Sequence, residues 1–309
     1  MANSFNAPYA DRINRLKEKV LTTYPEIDLE NARILTQSFH ETEGEVFVLR
    51  KAKAFRRQCQ EKTVEIWDDE LIVGNAGSKI RGGILSADVC WSVLDKELDT
   101  INTRPYDKFH LRPEDRKIFE EEIRPYWKGR SNYEAWLAQI PEDVAALRDN
   151  GALYIDKKAV RGWGEVTAGY EWFIKNGVNG IVKLVEAQKA GLDATRPGDY
   201  EKEAYLDSLL VVAEGMLTLA ERYALEADRL ASAEKDPARR RELRKIAEIC
   251  RHVPAQPACT FHEALQSFYF YQIFLFMEQN AAAYNPGRMD QYLYPYYKAD
   301  HDAGRITPE

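Results

Sequence analysis

Arg161-Gly-Trp-Gly-Glu165 places a guanidinium and a carboxylate four residues apart, with an indole between them. On a helix Arg161 and Glu165 would lie one turn apart, but the two glycines disfavour a regular helix. A loop of this composition would suit a small polar ligand. The alternative is an exposed ion pair worth about 0.2–0.5 kcal/mol.

A second polar segment, Glu278-Gln279-Asn280, follows an almost wholly apolar stretch and precedes Tyr284. Polar groups at such a place are costly to bury without partners, so they must face a pocket or satisfy nearby backbone. Further on, Arg288 and Asp290 flank the start of the last expected helix, in which Pro295 should cause a kink. The segment is therefore either a ligand site or a structural network.

Four soft metal ligands also lie close together in the sequence, at Cys250, His252, Cys259 and His262. Zinc takes such sets tetrahedrally, but the single residue between Cys250 and His252 is tighter than the usual spacing. We expect buried cysteines and two packing or capping histidines, and no metal site. The sequence also lacks the phosphate-cradling glycine motifs, the serine elbow and the histidine-glutamate zinc motif.

The composition limits the classes of partner. The 309 residues include 43 Lys+Arg and 50 Asp+Glu, a net charge of −7, which argues against nucleic acid or an anionic membrane. The 17 Tyr, 12 Phe and 6 Trp argue against disorder. No leader peptide is apparent, and the longest apolar run, 268–277, is about half a membrane span. We expect a soluble cytoplasmic protein without a disulfide framework.

Apolar periodicity predicts a mainly α chain that positions these segments. Asp28 should cap a helix in the first half of the chain. Alternation of apolar and polar residues over 64–73 predicts a strand, which an irregular segment, 74–90, should follow. Thr307-Pro308-Glu309 resembles the cap and first turn of a further helix. The longer predicted helices span 45–62, 91–99, 113–128, 132–149, 170–190, 200–233, 237–252 and 260–283.

The segment from Pro286 to Tyr297 is similar to a signature stretch of the glycyl radical enzymes of the pyruvate formate-lyase type. The branch it resembles contains glycerol and propanediol dehydratases, choline trimethylamine-lyase, hydroxyproline dehydratase and sulfonate lyases. The resemblance covers essentially the whole chain. Further landmarks occur in the family's order: Thr42-Glu-Gly44, Arg50-Lys-Ala-Lys-Ala54, Asp69-Glu-Leu-Ile-Val-Gly-Asn75, Arg104-Pro105, Pro125-Tyr-Trp127, Asn176-Gly-Val-Asn-Gly-Ile181 and Ile246-Ala-Glu248.

The resemblance implies a ten-stranded α/β barrel wrapped by helices. Residues 1–309 would be its amino-terminal helical portion, with at most a few short strands near 64–85. It also implies anaerobic radical chemistry, in which a backbone glycyl radical relays to a cysteine thiyl that takes a hydrogen atom from the substrate. A separate activating enzyme with S-adenosylmethionine and an iron–sulfur cluster installs the radical, and the full enzyme would be a homodimer.

The family's thiyl cysteine lies in a Gly-Cys-x-Glu context and its radical glycine in an Arg-Val-Ala-Gly-Tyr context, and neither occurs in residues 1–309. Cys59-Gln-Glu61 imitates the first but lies on an amphipathic helix. We therefore expect no catalytic residue and no glycyl radical domain in this chain, which should be inactive alone. A split subunit, a truncated gene product and an expression fragment all remain open.

The resemblance also suggests substrate contacts. Arg161 resembles the arginine that sulfonate lyases use on an anionic group, and it would keep Glu165 ionised so that it can accept a hydrogen bond from a substrate hydroxyl. Asn280 matches a polar wall in several relatives, whereas Gln279 and Tyr284 depart from the usual residues.

Dehydratases carry a histidine where this chain has Glu165, and some relatives carry an aspartate at Gly169, which argues against glycerol and choline. We expect a lyase that eliminates water or another leaving group from a small hydroxylated substrate. The alternatives are a sulfonate C–S lyase of the same family and, from another class, a non-catalytic helical binding subunit.

Overall fold

The computed structural model describes residues 10–153, 166–193, 195–279 and 283–307. Helices dominate this part of the chain, and four strands of two or three residues accompany them. The elements in chain order are α1 (Ala10–Thr22), β1 (Glu26–Asp28), α2 (Glu30–Glu41), α3 (Phe47–Glu61), β2 (Gly82–Ile84), α4 (Ala87–Glu97), α5 (Pro113–Ile118), a π-helical turn (Phe119–Ile123), α6 (Arg124–Trp127), α7 (Asn132–Leu137), α8 (Glu142–Asp149), β3 (Val166–Thr167), α9 (Tyr170–Lys189), α10 (Asp199–Ala233), α11 (Pro237–His252), α12 (Phe261–Gln279), β4 (Tyr284–Asn285) and α13 (Met289–Asp302).

The 35-residue helix α10 forms the axis of the largest hydrophobic core, with α3 and α11 packed along it. Small residues on its buried face allow close approach, and a Cβ added at Gly215 would lie 2.9 Å from the Cα of Arg56 on α3. Aromatic side chains of α12 complete this core, with Phe270 and Phe274 stacked at 6.1 Å between ring centroids. The prediction that α12 is a buried helix is confirmed.

The segment 64–73, predicted as a strand, is not one. Its backbone groups bond to side chains rather than to a neighbouring strand. Val73 N–H donates to Gln266 Oε1 at 2.9 Å, and Gln266 Nε2 donates to the Val73 carbonyl at 2.8 Å. Trp67 N–H donates to Glu70 Oε2, and the Leu71 carbonyl lies 2.8 Å from His262 Nε2. These backbone groups are therefore satisfied without a sheet.

Two further local predictions were only partly right. The 132–149 helix is split into α7 and α8, since Pro141 has no backbone N–H to continue α7. The N-cap residue of α2 is Leu29 and not Asp28, but Asp28 Oδ1 does accept from the N–H of Glu30, the first residue of α2, at 3.1 Å. The other oxygen of this buried carboxylate accepts from the N–H groups of Ser78 and Lys79, at 2.5 and 3.2 Å, and so fixes the irregular loop before β2.

The strands form two separate parallel pairs. β1 pairs with β2, so one strand does lie inside the range in which the sequence predicted short strands. β3 pairs with β4, with Val166 opposite Tyr284 and Thr167 opposite Asn285. Among the helices described, none is both long enough and apolar enough to cross a membrane.

Candidate functional site

The β3–β4 pair joins two stretches of chain, each of which follows one of the two polar segments in the sequence. Val166, the residue that follows Glu165, pairs with Tyr284, which lies shortly after the Glu278–Asn280 segment. The approach is tight, since a Cβ added at Gly287 would lie 3.0 Å from Thr167 Cγ2, and Gly287 has a left-handed φ of 65° that favours glycine. The residues that follow the two segments therefore lie side by side.

Tyr284 is the one predicted site residue that is both described and buried, with 9% of its surface exposed. Its ring meets that of Phe276 edge-on, with 5.3 Å between centroids. Burial, with the nearby negative charge of Glu278 as a smaller cause, raises the pKa of Tyr284 to about 12. Its phenol therefore stays protonated at neutral pH and can donate or accept a hydrogen bond.

Gln279 is the last residue of α12, and its surroundings are polar. Ser86 Oγ donates to the Gln279 carbonyl at 3.5 Å. Lys51 Nζ donates to the preceding carbonyl, that of Glu278, at 3.4 Å. The end of α12 is thus held from α3 on one side and from the start of α4 on the other, which satisfies carbonyls that lack helical partners.

An ion network that the sequence did not predict lies at this helix end. Lys51 Nζ lies 2.8 Å from Asp88 Oδ2 and 3.9 Å from Glu278 Oε1. Burial alone would lower the pKa of Lys51, but the charges of Asp88 and Glu278 outweigh it and raise the pKa. Partial desolvation raises the pKa of Glu278, and Lys51 opposes this. Lys51 lies in a family-like motif, but nothing local in the sequence identifies its partners.

Aromatic side chains from three helices pack beside the β3–β4 pair, and we call Tyr170, Tyr271 and Tyr292 the tyrosine cluster. Tyr170 O–H donates to Gln272 Oε1, and its ring meets that of Tyr271 edge-on at 5.1 Å. Tyr292 O–H donates to the Pro286 carbonyl at 2.8 Å. Burial raises the pKa values of Tyr170 and Tyr292 to about 12. The phenols of Tyr170 and Tyr292 therefore stay uncharged at neutral pH.

The remaining predicted ligand contacts, Arg161, Glu165 and Asn280, lie outside the described residues. Arg288 and Asp290 do flank the start of α13, where two hydrogen bonds of 2.9 and 2.8 Å join their exposed side chains.

Cys59, which imitates the family's cysteine motif, is fully buried in the α10 core. Burial strongly raises its thiol pKa, which is the reverse of what a reactive cysteine needs.

The four soft ligands singled out in the sequence do not form one set. Cys250 is buried in the main core, and burial strongly raises the pKa of its thiol. His262 binds the Leu71 carbonyl, and burial lowers the pKa of its imidazole. Cys259, expected to be buried, is exposed. Its Sγ lies 3.9 Å from His252 Nε2, so only this half of the set stays together.

Residues 6–309 match the family model described as pyruvate formate lyase-like. The chain belongs to the pyruvate formate lyase-like family. The resemblance noted in the sequence is thereby confirmed, together with a mainly helical portion of that fold.

Individual relatives fit this assignment. The chain is 37% identical over 305 residues to an isethionate sulfite-lyase from Desulfovibrio desulfuricans, covering 96% of this chain and 37% of the relative. It is 32% identical to a trans-4-hydroxy-L-proline dehydratase from Clostridioides difficile, covering 95% and 37%. A solved structure on 1,2-propanediol dehydration in Roseburia inulinivorans superposes with a TM-score of 0.93 at 34% identity, covering 97% and 36%. The chain therefore spans little more than a third of these relatives.

Proposed function

We propose that this chain is the amino-terminal part of a glycyl radical lyase that eliminates water or another leaving group from a small hydroxylated substrate. The observation that carries the proposal is the family match over residues 6–309, with relatives that are a sulfite-lyase and dehydratases. The mainly helical fold, shared at a TM-score of 0.93 with a structure on diol dehydration, supports the same class.

The role of this chain in such an enzyme is to bind and orient the substrate. Residues 1–309 contain neither the Gly-Cys-x-Glu nor the Arg-Val-Ala-Gly-Tyr sequence, and the two cysteines in the main core, Cys59 and Cys250, have strongly raised pKa values. We place the thiyl cysteine, the radical glycine and the barrel strands outside residues 1–309. An S-adenosylmethionine and iron–sulfur activating enzyme would install the radical, and the complete enzyme would be a cytoplasmic homodimer.

We assign the substrate wall to Arg161, Glu165, Gln279, Asn280 and Tyr284. Two observations support grouping them. The residue next to Glu165 pairs with Tyr284, and the α12 end that carries Gln279 is anchored to α3 and α4. In this assignment the protonated Tyr284 phenol and the amides of Gln279 and Asn280 supply neutral hydrogen bonds, and Arg161 supplies the positive charge.

A sulfonate C–S lyase is the second candidate, and the isethionate sulfite-lyase relative favours it. Isethionate carries a sulfonate and a hydroxyl on neighbouring carbons. Arg161 would bind the sulfonate through its planar fork, and Glu165 would accept a hydrogen bond from the hydroxyl. The same Arg161 would hold the pKa of Glu165 low, so that the carboxylate stays an acceptor.

The test uses the complete enzyme, in which this chain forms the first part, activated anaerobically by its activating enzyme. A doublet radical signal should appear, followed by turnover of isethionate or of a diol such as 1,2-propanediol. Arg161→Ala should lower kcat/KM for an anionic substrate by about 10-fold to 150-fold, the equivalent of about 1.5–3 kcal/mol for a charged hydrogen bond, without changing the radical signal. Arg196→Ala, at an exposed arginine, is the matched control.

Two outcomes would contradict these proposals in different ways. If the radical forms but Arg161→Ala turns over substrate at the unchanged rate, the substrate wall is wrongly assigned while the lyase class stands. If no radical forms and residues 1–309 alone behave as a monomer with cooperative unfolding, the helical binding subunit is the better explanation.

A further inference from the structure

Three side chains able to bind a metal converge where α11 ends and α12 begins. His252 is the last residue of α11, Cys259 lies in the connecting loop, and Glu263 belongs to the first turn of α12. His252 Nε2 lies 3.9 Å from Cys259 Sγ and 3.9 Å from Glu263 Oε2. One ligand atom from each residue falls within 4.8 Å of the other two.

The loop that carries Cys259 is fixed to α9 by backbone hydrogen bonds at Pro254 and at Ala258. Val178 N–H donates to the Pro254 carbonyl at 2.8 Å, and Ala258 N–H donates to the Ile174 carbonyl at 3.0 Å. Backbone hydrogen bonds of this kind hold the loop whether or not a ligand is present, so ligand binding does not have to order the loop.

Glu263 is held just as firmly. Its Oε2 accepts from the N–H groups of Cys259 and Thr260, at 2.7 and 3.1 Å, and its own N–H donates to Thr260 Oγ1 at 3.2 Å. This reciprocal pair caps α12 and keeps the carboxylate beside the imidazole. Only 12% of the Glu263 side chain is exposed, against 37% for His252, so the group opens to solvent on the imidazole side.

The geometry separates two kinds of chemistry. In a nucleophile relay the thiol meets one ring nitrogen of the histidine and the acid holds the other. Here Sγ and Oε2 both approach the same nitrogen, Nε2 of His252. Convergence on one point is what a bound cation needs, and a relay cannot use it.

The donor types select the metal. One thiolate, one imidazole and one carboxylate suit Zn²⁺, with bonds of about 2.3 Å to sulfur and about 2.0–2.2 Å to nitrogen and oxygen. Tetrahedral bonds of those lengths put sulfur and nitrogen about 3.5 Å apart. A small rotation of the exposed Cys259 side chain would therefore shorten the observed 3.9 Å between Cys259 Sγ and His252 Nε2 to this length. The His252 contact of 3.0 Å to the Pro257 carbonyl would give way to the metal.

We propose that His252, Cys259 and Glu263 bind one Zn²⁺ ion, whose fourth position faces solvent. The ion would tie the end of α11 to the start of α12. This site shares no residue with the proposed substrate wall, and its existence does not depend on the proposed lyase activity.

The experiment titrates the purified, chelator-treated full chain with Zn²⁺ alone in a calorimeter, and with Co²⁺ as a spectroscopic probe. The variants are His252→Gln, Cys259→Ser and Glu263→Gln, the last of which keeps an acceptor for the cap of α12. The controls are His301→Gln, at an exposed histidine, and Cys90→Ser, at a thiol outside the site. Circular dichroism checks that each variant is folded.

We expect one equivalent of Zn²⁺, a raised unfolding temperature with metal, and a thiolate-to-Co²⁺ band that Cys259→Ser abolishes. Each of the three ligand variants should weaken binding by at least about tenfold, while the two controls bind as the parent does. No stoichiometric binding, binding undiminished in the ligand variants, or an equal loss in the controls would overturn the proposal. If Glu263→Gln fails to fold, the other two ligand variants decide.

Discussion

Gly177 lies at a break inside α9, with φ 65° and ψ 179°, directly against the loop that follows α11. A Cβ added there would lie 2.6 Å from the carbonyl oxygen of Ala255 and 2.9 Å from that of Pro254. These are backbone atoms, so the loop itself would have to move. Movement would break the bonds from Val178 N–H to the Pro254 carbonyl and from Asn179 N–H to the Ala255 carbonyl, at 2.8 and 3.1 Å.

The expected cost of Gly177→Ala follows from these contacts. A φ of 65° with a ψ of 179° lies in a region almost confined to glycine and costs about 1–3 kcal/mol for a residue with a Cβ, and leaving the buried Val178 N–H unsatisfied costs about 1–3 kcal/mol more. We therefore expect the free energy of unfolding to fall by about 2–6 kcal/mol. Gly304→Ala is the matched control, because Gly304 has φ 67° but open space around it. At Gly304 the backbone strain is partly offset because alanine also lowers the entropy of the unfolded chain, so the free energy of unfolding should fall by about 1 kcal/mol.

Urea unfolding of both variants, followed by circular dichroism and tryptophan fluorescence, measures the difference. The clash argument requires Gly177→Ala to lose at least about twice the free energy that Gly304→Ala loses. Equal losses would mean that the loop after α11 yields freely, and the account of α9 packing would then be refuted.

Two lysine substitutions test buried charge. Burial lowers the pKa of Lys62 to about 8, below its ordinary 10.5. Between these two pH values the unfolded chain binds more protons than the folded chain, so the free energy of unfolding should rise with pH, by at most about 1.4 kcal/mol per pH unit. Lys62→Met should remove that rise in urea unfolding from pH ~8 to ~10. Lys51→Met leaves Asp88 without its partner and should cost about 1–3 kcal/mol, against about 0–1 for Lys53→Met, whose partner Glu45 is near the surface; equal losses would contradict the network.

Helices were the part of the fold that the sequence predicted well, because their signal is local. The 237–252 prediction coincides with α11, and the predictions 45–62 and 170–190 fall within two residues of α3 and α9. Each depends on residues three or four positions apart, which any compact fold preserves. Proline and aspartate at 236–237 set the start of α11, where Asp236 accepts from the N–H groups of Ala238 and Arg239.

Apart from the helix break before Pro141, what the sequence did not predict involves partners that are distant in sequence. Alternation over 64–73 is typical of a strand, yet the partner of Val73 is the Gln266 amide on α12, and no local pattern identifies it. One oxygen of Asp28 binds the first N–H of α2, as a capping side chain would, but the other binds the N–H of Ser78 in a loop that the local sequence does not identify. Of the three proposed zinc ligands, Cys259 and His252 stood out in the sequence but Glu263 did not. The hydrogen bonds by which Glu263 caps α12, and which hold it beside them, are visible only in the structure.

The β3–β4 pair, beside which we propose the substrate wall, has the same character, since its two strands are distant in sequence. The β3–β4 pair has two residues on each side, too few to be stable alone. What holds Val166 opposite Tyr284 must therefore be the flanking helices. α9 starts with Tyr170, whose ring packs on Tyr271 of α12, and α13 carries Tyr292, whose hydroxyl binds the chain just after β4. The tyrosine cluster thus fixes the placement of the two strands, and in the proposed substrate wall it would act on a ligand through that placement.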